Sequence, residues 1–324
     1  MTSPLRFPLS ARAIALTTIS LAACDPASPA PDAAVGDDAF VEADAFIPRD
    51  APTTDAGPPI VEIFAALPAS SEGIALGHDA AGASRLFVAA RNDSVVSVAP
   101  DGTVETIASI RNPVGIAFRE PGEIVACASS PEGHTGLFSI TLDGTVTELT
   151  TAGPDGPYGL TNFVTVAPDG SLVFSDSMAN RLYRADADGT NVALVTDTIE
   201  YTNGLAFSAD ETQLFVASWS TTTLYALPYA GGTYGAPTAL HEGVLNIDGL
   251  ATHDAHELVL VTSSSGVLTI DPTMPGEPRV LTDRRGILVP ANGVFGDETF
   301  GTDELFVTSL GRESLFVVHT ALAR

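Results

Sequence analysis

Asn203-Gly204-Leu205-Ala206-Phe207-Ser208 is one copy of a phrase that this chain repeats. The other copies open Glu72-Gly73-Ile74-Ala75, Val114-Gly115-Ile116-Ala117, Asn162-Phe163-Val164-Thr165, Asp248-Gly249-Leu250-Ala251 and Asn292-Gly293-Val294-Phe295. Successive first residues are 42, 48, 41, 45 and 44 positions apart. A period of about 40–50 residues, with several short strands per unit and Gly/Asp turns between them, is the pattern of a β-propeller.

The text around each phrase supports that reading. In the first unit Gly73-Ile74-Ala75-Leu76 is followed by Arg85-Leu86-Phe87-Val88-Ala89 and Ser94-Val95-Val96-Ser97-Val98. The pair Asp101-Gly102 then leads into Thr103-Val104-Glu105-Thr106-Ile107. These are short apolar runs rich in β-branched residues, separated by pairs that turn a hairpin. Asp143-Gly144 and Asp188-Gly189 repeat the turn. No segment keeps a helical period. The expectation is an all-β chain: a six-bladed β-propeller of four-stranded blades over residues 60–324, with Ile60 to Ala66 closing the ring as an outer strand of the last blade.

In such a ring, every inner strand starts on the same face. Five of the six openings place an oxygen-bearing side chain first: Glu72, Asn162, Asn203, Asp248 and Asn292. Two carboxylates and several amide oxygens meeting at one axis suit a hard divalent cation. The loops on that face also carry Asp176, Trp219, His134, Arg91 and Tyr201. Cation ligands at the centre with aromatic and polar groups around them suit a polar organic substrate. His253 and His256 read as surface residues of an outer turn.

Lys+Arg total 14 against 40 Asp+Glu, a net charge of -26. That balance excludes nucleic acid as a partner, since phosphate neutralisation needs a basic surface. Of the two cysteines, Cys127 lies in the apolar run Ile124-Val125-Ala126-Cys127-Ala128 and reads as a core residue.

Residues 1–23 have Arg6 and Arg12 ahead of the apolar stretch Ala13 to Ala23, the layout of a secretory signal. The segment ends Leu21-Ala22-Ala23-Cys24, which resembles the bacterial lipobox and implies lipidation of Cys24. Residues 24–59, rich in Asp, Pro and Ala, read as a disordered linker. The chain is therefore expected to be a lipid-anchored extracytoplasmic protein of the cell envelope, on the periplasmic side or the cell surface. It would touch the membrane only through its anchor, and its domain would be a monomer.

From Glu72 to Val318 the chain resembles the senescence-marker-protein/gluconolactonase (regucalcin-like) family of six-bladed propellers. The resemblance rests on Glu72-Gly73, Asn162 ahead of Val166-Ala167-Pro168-Asp169-Gly170-Ser171-Leu172, Asn203-Gly204-Leu205-Ala206-Phe207-Ser208, Asp248-Gly249-Leu250 and Val294-Phe295-Gly296. It implies one divalent metal ion, calcium or zinc with magnesium as a further option. The implied ligands are Glu72, Asn203 and Asp248, with Asn162 at or near the metal and lining the substrate site. It also implies opening of a lactone or related ester with Asp248 as the general base. Asp176, Trp219, His134 and Asn292 complete the expected substrate surroundings. Three positions depart from the family pattern: Phe163 replaces an Asp, Leu160-Thr161 lack an Arg, and Ala217-Ser218 replace an Asp-Ser or Asp-Thr ending. Metal binding is retained on this reading while the sugar-binding set is incomplete. The alternative is a non-catalytic, metal-plugged propeller that binds a small ligand or a protein partner.

Overall fold

The computed structural model describes residues 60–253, 258–262, 264–273 and 276–320. The signal, the Cys24 lipidation site and the linker lie outside the described residues, as does His256. Every regular element among the described residues is a strand.

Six antiparallel sheets of four or five strands follow one another along the chain, with a two-stranded ribbon, Ala152–Gly153 and Gly156–Pro157, between the second and third. The first is Ser71–His78, Ser84–Ala90, Ser94–Val98 and Val104–Ser109. The second is Ile116–Arg119, Glu123–Ser129, Thr135–Thr141 and Val146–Thr150, and the third Thr161–Val166, Leu172–Asp176, Arg181–Ala185 and Ala193–Thr196. The fourth is Thr202–Phe207, Gln213–Ser218, Thr223–Ala230 and Thr238–Glu242, with a short extra strand at Thr233–Tyr234. The fifth is Ile247–Thr252, Leu258–Thr262, Gly266–Ile270 and Arg279–Thr282. The sixth takes Pro290–Phe295, Glu304–Ser309 and Ser314–His319 from the end of the chain and Val61–Ala66 from its beginning. Val61 pairs with Val318 and Ala66 with Ser314, so the ring closes by hydrogen bonds between distant parts of the sequence. The architecture is a six-bladed β-propeller.

The burial pattern explains why the middle strands read as apolar runs instead of alternating. A blade is covered on both faces by its neighbours, so Leu172–Asp176, Leu258–Thr262 and Gly266–Ile270 are buried at every position. Outer strands such as Val146–Thr150 are mostly exposed. Six apolar clusters fill the six seams between blades. Phe87 and Phe138 pack in the first seam, Phe163 and Leu205 in the third, and Phe306 and Leu86 in the one that closes the ring. Each fully buried side chain of this kind contributes about 1.5–3 kcal/mol.

Much of the acidity belongs to the turns. Asp101, Asp143, Asp169 and Asp188 each accept the backbone N–H two residues on, at 2.9, 3.1, 3.0 and 3.0 Å. The Asp101 carboxyl is held below the usual range first by its backbone bond from Thr103, and those of Asp143 and Asp188 first by the hydroxyls of Thr141 and Thr190 and then by their backbone bonds. An Asp carboxylate that copies a backbone turn is the local reason for the repeated Asp-Gly signal.

His253 corrects one expectation. It is 6% exposed, lies just after the inner strand of the fifth blade, packs edge-on against Phe295 and faces Asp303 at 3.4 Å. Cys127 is a buried free thiol, as expected.

Candidate functional site

The inner strands position the site through a shared irregularity. In five blades the pairing of the first two strands slips at the opening phrase. The slips fall between Ser71 and Ile74, Thr161 and Val164, Thr202 and Leu205, Ile247 and Gly249, and Pro290 and Gly293. The skipped residues include Glu72, Asn162, Asn203, Asp248 and Asn292. A bulge frees a residue from the ladder and re-aims its side chain, here at the start of each inner strand. The second blade has Val114 at this place, and its first two strands pair without a slip.

Glycines bring these strand starts together. A Cβ on Gly73 would stand 2.2 Å from the Val114 carbonyl oxygen, and one on Gly204 would stand 2.4 Å from that of Asp248. Gly115 and Gly249 approach Asn162 and Asn292 as closely. The third blade has Phe163 where the others have glycine. Its ring is buried in the seam with the fourth blade, and its N–H bonds Ser175 Oγ at 3.0 Å. Hydroxyls pin the same region: Thr161 Oγ1 donates to the Gly136 carbonyl and Thr202 Oγ1 to that of Arg181, both at 3.0 Å.

The electrostatics are those of an acid pair in a place short of counter-charge. Asp248 is 8% exposed and the Glu72 side chain 13%. Arg91 Nη1 binds Glu72 Oε2 at 2.8 Å. Burial pushes the Glu72 carboxyl up, and Arg91 pulls it partly back. Asp248 is pushed well above the usual carboxylate range, first by burial and then by the Glu72 charge, against the Asn203 hydrogen bond. Asn203 Nδ2 donates that bond to Asp248 Oδ1 at 2.9 Å. The other end of the amide, Asn203 Oδ1, is buried with no hydrogen-bond partner. An unpaired acceptor beside two buried carboxylates asks for a cation.

Among the described residues no three His, Cys, Asp or Glu side chains gather as a metal cluster. Any ion held here therefore draws on two carboxylates and amide oxygens. All of these are hard oxygen donors, so the set fits a hard divalent cation.

The remaining expected residues divide. Asn162 is 6% exposed on its bulge, and its carbonyl accepts the Gly115 N–H at 2.8 Å. Asn292 Oδ1 accepts the N–H of its own neighbour Gly293 at 2.8 Å, a local turn bond. Asp176 is buried and accepts from Gly159, Leu160 and Ala179 N–H groups at 2.8, 2.8 and 3.3 Å, tying the crossing between the second and third blades. Trp219 is 36% exposed on the working face, and His134 is exposed there on the second blade. Tyr201 lies in the crossing into the fourth blade, on the same face. The structure sets it against Trp219 with ring centres 5.5 Å apart and the planes tilted by 43°. Burial, then the charges of Asp248 and Glu72, raise its phenol. Its place two residues ahead of Asn203 was the only sequence signal for this role.

At the opposite end of the inner strands a cavity of about 290 Å³ is lined by Val166, Phe207, Thr252 and Glu211, among others. Glu211 is its only ionisable group, so it lacks the acid pair.

A family model described as the SMP-30/gluconolactonase/LRE-like region matches residues 73–311. A gluconolactonase from Xanthomonas campestris superposes with a TM-score of 0.68 at 20% identity, covering 82% of this chain and 95% of the other. A luciferin-regenerating enzyme gives a TM-score of 0.66 at 17% identity, covering 82% and 96%. At these identities the two structures speak for the fold alone. Strictosidine synthase-like protein 7 of Arabidopsis thaliana is 30% identical over 141 residues, 38% of this chain. The match spans about a third of that relative's own length (35%).

Proposed function

The chain belongs to the SMP-30/gluconolactonase/LRE-like family, and from that membership and the axial acid pair we propose a metal-dependent hydrolase that opens a lactone or related ester. The observation that carries the reading is the buried Glu72–Asp248 pair beside the unpartnered Asn203 Oδ1.

Glu72, Asn203 and Asp248 would hold one divalent ion, calcium or zinc with magnesium as a further option, and Asn162 would line the substrate beside it. When bound, such an ion supplies positive charge to an acyl oxygen as that oxygen gains negative charge. Asp248 serves as the base. Its Oδ1 is held by Asn203, which fixes the carboxylate and leaves Oδ2 to take a proton from the attacking water. The new C–O bond forms to that water, the ring acyl–oxygen bond breaks, and the proton passes to the departing alkoxide to give a hydroxy acid. Burial of the carboxylate keeps competing water away and strengthens every charge interaction around it. Arg91 holds Glu72 in place. No Ser-His-Asp constellation is needed, because a strained lactone or activated ester requires a weaker nucleophile than an amide does.

On the same reading the domain acts as a monomer. The Leu21-Ala22-Ala23-Cys24 segment supports a lipid tether outside the cytoplasm.

The test is metal content and lactone turnover of the purified chain beside Asp248→Asn. A bound divalent ion, with turnover that the variant loses, supports the hydrolase. A bound ion without turnover on any lactone or ester makes the domain a binding module.

A further inference from the structure

Among the described residues nine large apolar side chains are exposed, and they fall into two sets. Ile63, Val146, Leu194 and Val280 lie on outer strands and Ile60 just ahead of one, all on the circumference. Met178, Trp219, Leu245 and Leu288 lie instead on loops of the face where the acids open. Their exposures are 70%, 36%, 43% and 43%. None of the nine is on a loop of the opposite face. Met178 and Trp219 occupy the turns after the second strands of the third and fourth blades. Leu245 and Leu288 occupy the crossings into the fifth and sixth. Together they make one arc over four successive blades. The first two blades expose no large apolar side chain on this face and carry Arg91, Arg111 and His134, while Arg284, Arg285 and Arg312 stand at the far end of the apolar arc, beside Leu288 and on the sixth blade.

Tyr201 connects the apolar arc to the axis. Its backbone φ is 44°, a left-handed conformation that a bulky residue adopts only under strain. The equivalent residue entering the fifth blade is Asn246, with φ of 51°. Asn adopts this conformation readily and Tyr only at a cost, a cost also met at Val289 (φ 47°) in the crossing into the sixth blade. Its N–H is held by Asn180 Oδ1 at 2.8 Å and its carbonyl by the Trp219 N–H at 3.1 Å. The ring lies against the indole at a tilt of 43°, and the half-buried phenol lies in the field of Asp248 and Glu72.

We propose that this arc is the tail-binding wall of the axial site, and that the substrate is a lactone or ester bearing an alkyl or aryl chain. The reacting carbonyl would sit at Glu72 and Asp248, with the chain laid across Tyr201, Trp219 and Leu245. The inference rests on the hydrolase reading for its reacting group. A polyhydroxylated ring would set hydroxyls against Met178 and Leu245, which offer no partner. An alkyl chain there loses water contact and gains affinity with each methylene.

Trp219 is the only tryptophan in the chain, so its fluorescence reports on the wall. The experiment titrates the full chain with hydrolysis-resistant γ-lactams bearing no side chain, a butyl chain or an octyl chain, and with gluconolactam. The expected Kd falls at least about tenfold from the unsubstituted to the octyl lactam, a modest fraction of what full burial of the chain would give. The octyl lactam should bind more tightly than gluconolactam. In a Met178→Ser, Leu245→Ser double variant the dependence on chain length should flatten, with an unchanged melting temperature showing that the fold is intact. Equal affinity for all chain lengths, tighter gluconolactam binding, no binding, or an undiminished chain dependence in the variant would each overturn the inference. Lactams ranked by chain length, without turnover of the matching lactones, would uphold the wall as a ligand site while the hydrolase reading fell. Lactone turnover without that ranking would keep the hydrolase and overturn the wall.

Discussion

Asn203 Nδ2 donates to Asp248 Oδ1 at 2.9 Å, and that one bond orients both ends of the amide. Flipped, the amide would set oxygen against carboxylate oxygen. In the observed orientation Oδ1 points away from Asp248, buried and unpartnered. Asn203→Ala removes both the acceptor and the clamp on Asp248. Metal affinity measured by calorimetry should fall about 10–100-fold. Lactone kcat/KM should fall at least as much, since base and ligand geometry are lost together. An unchanged metal Kd would mean that Oδ1 is not a ligand.

Metal removal should be visible as stability. A ligand that binds only the folded state at about 100 times its Kd contributes about 2.7 kcal/mol, which for a domain of this size is about 5–10 °C in Tm. Calcium or zinc should raise the Tm of the wild type by that order. In Asp248→Asn the shift should disappear. With chelator present at neutral pH, the variant should melt above the wild type, because folding there must either hold Asp248 charged beside Glu72 or protonate it, and asparagine needs neither. A variant less stable than the wild type in chelator would refute this electrostatic account.

Gly204→Ala and Gly82→Ala separate close approach from backbone conformation. A Cβ at Gly204 meets the Asp248 carbonyl oxygen at 2.4 Å, and backbone cannot yield without moving the bulge that carries Asp248. Gly82 has φ of 80° and open space around it, so alanine there meets only backbone strain, about 1 kcal/mol. Denaturant unfolding should show a loss of about 2 kcal/mol or more for Gly204→Ala, accompanied by weakened metal binding. Gly82→Ala should lose about half that and bind metal normally. Equal effects at the two sites would remove the packing argument for the ring of strand starts.

The architecture was legible because a propeller writes its period into the chain. Each phrase such as Asn203-Gly204 or Asp248-Gly249 combines a bulged, oxygen-bearing residue with a glycine whose missing Cβ lets the next strand approach. Both requirements are local, so they survive in the text. The closing strand Val61–Ala66 was legible for a related reason: the last unit lacked a fourth strand. What could not be read were contacts made across blades. Asp176 looks like a mouth residue by position, yet the N–H groups of Gly159, Leu160 and Ala179 take up its carboxylate. His253 looks like an outer turn, yet the sixth blade covers it through Phe295 and Asp303. Asn162 and Asn292 occupy the same repeat position, but only the structure shows that Asn292 Oδ1 turns back on Gly293.

His78 gives a pH dependence far from the acid pair. It ends the inner strand of the first blade, packs edge-on against Phe118 at 5.0 Å, and reaches Glu120 in the next blade at 2.8 Å. The Glu120 hydrogen bond, then the Asp79 carbonyl, raises the imidazole above its ordinary value of 6.5. A histidine whose folded value is raised contributes stability that is complete below the unfolded value and vanishes as pH climbs through the folded one. The pair clasps two blades only while the ring is charged. His78→Gln should therefore lower Tm most near about pH 6 and have almost no effect by about pH 9. Glu120→Gln should reproduce the same profile, since it removes the other half of the pair. A Tm difference that stayed constant across that range would assign His78 to packing against Phe118 alone.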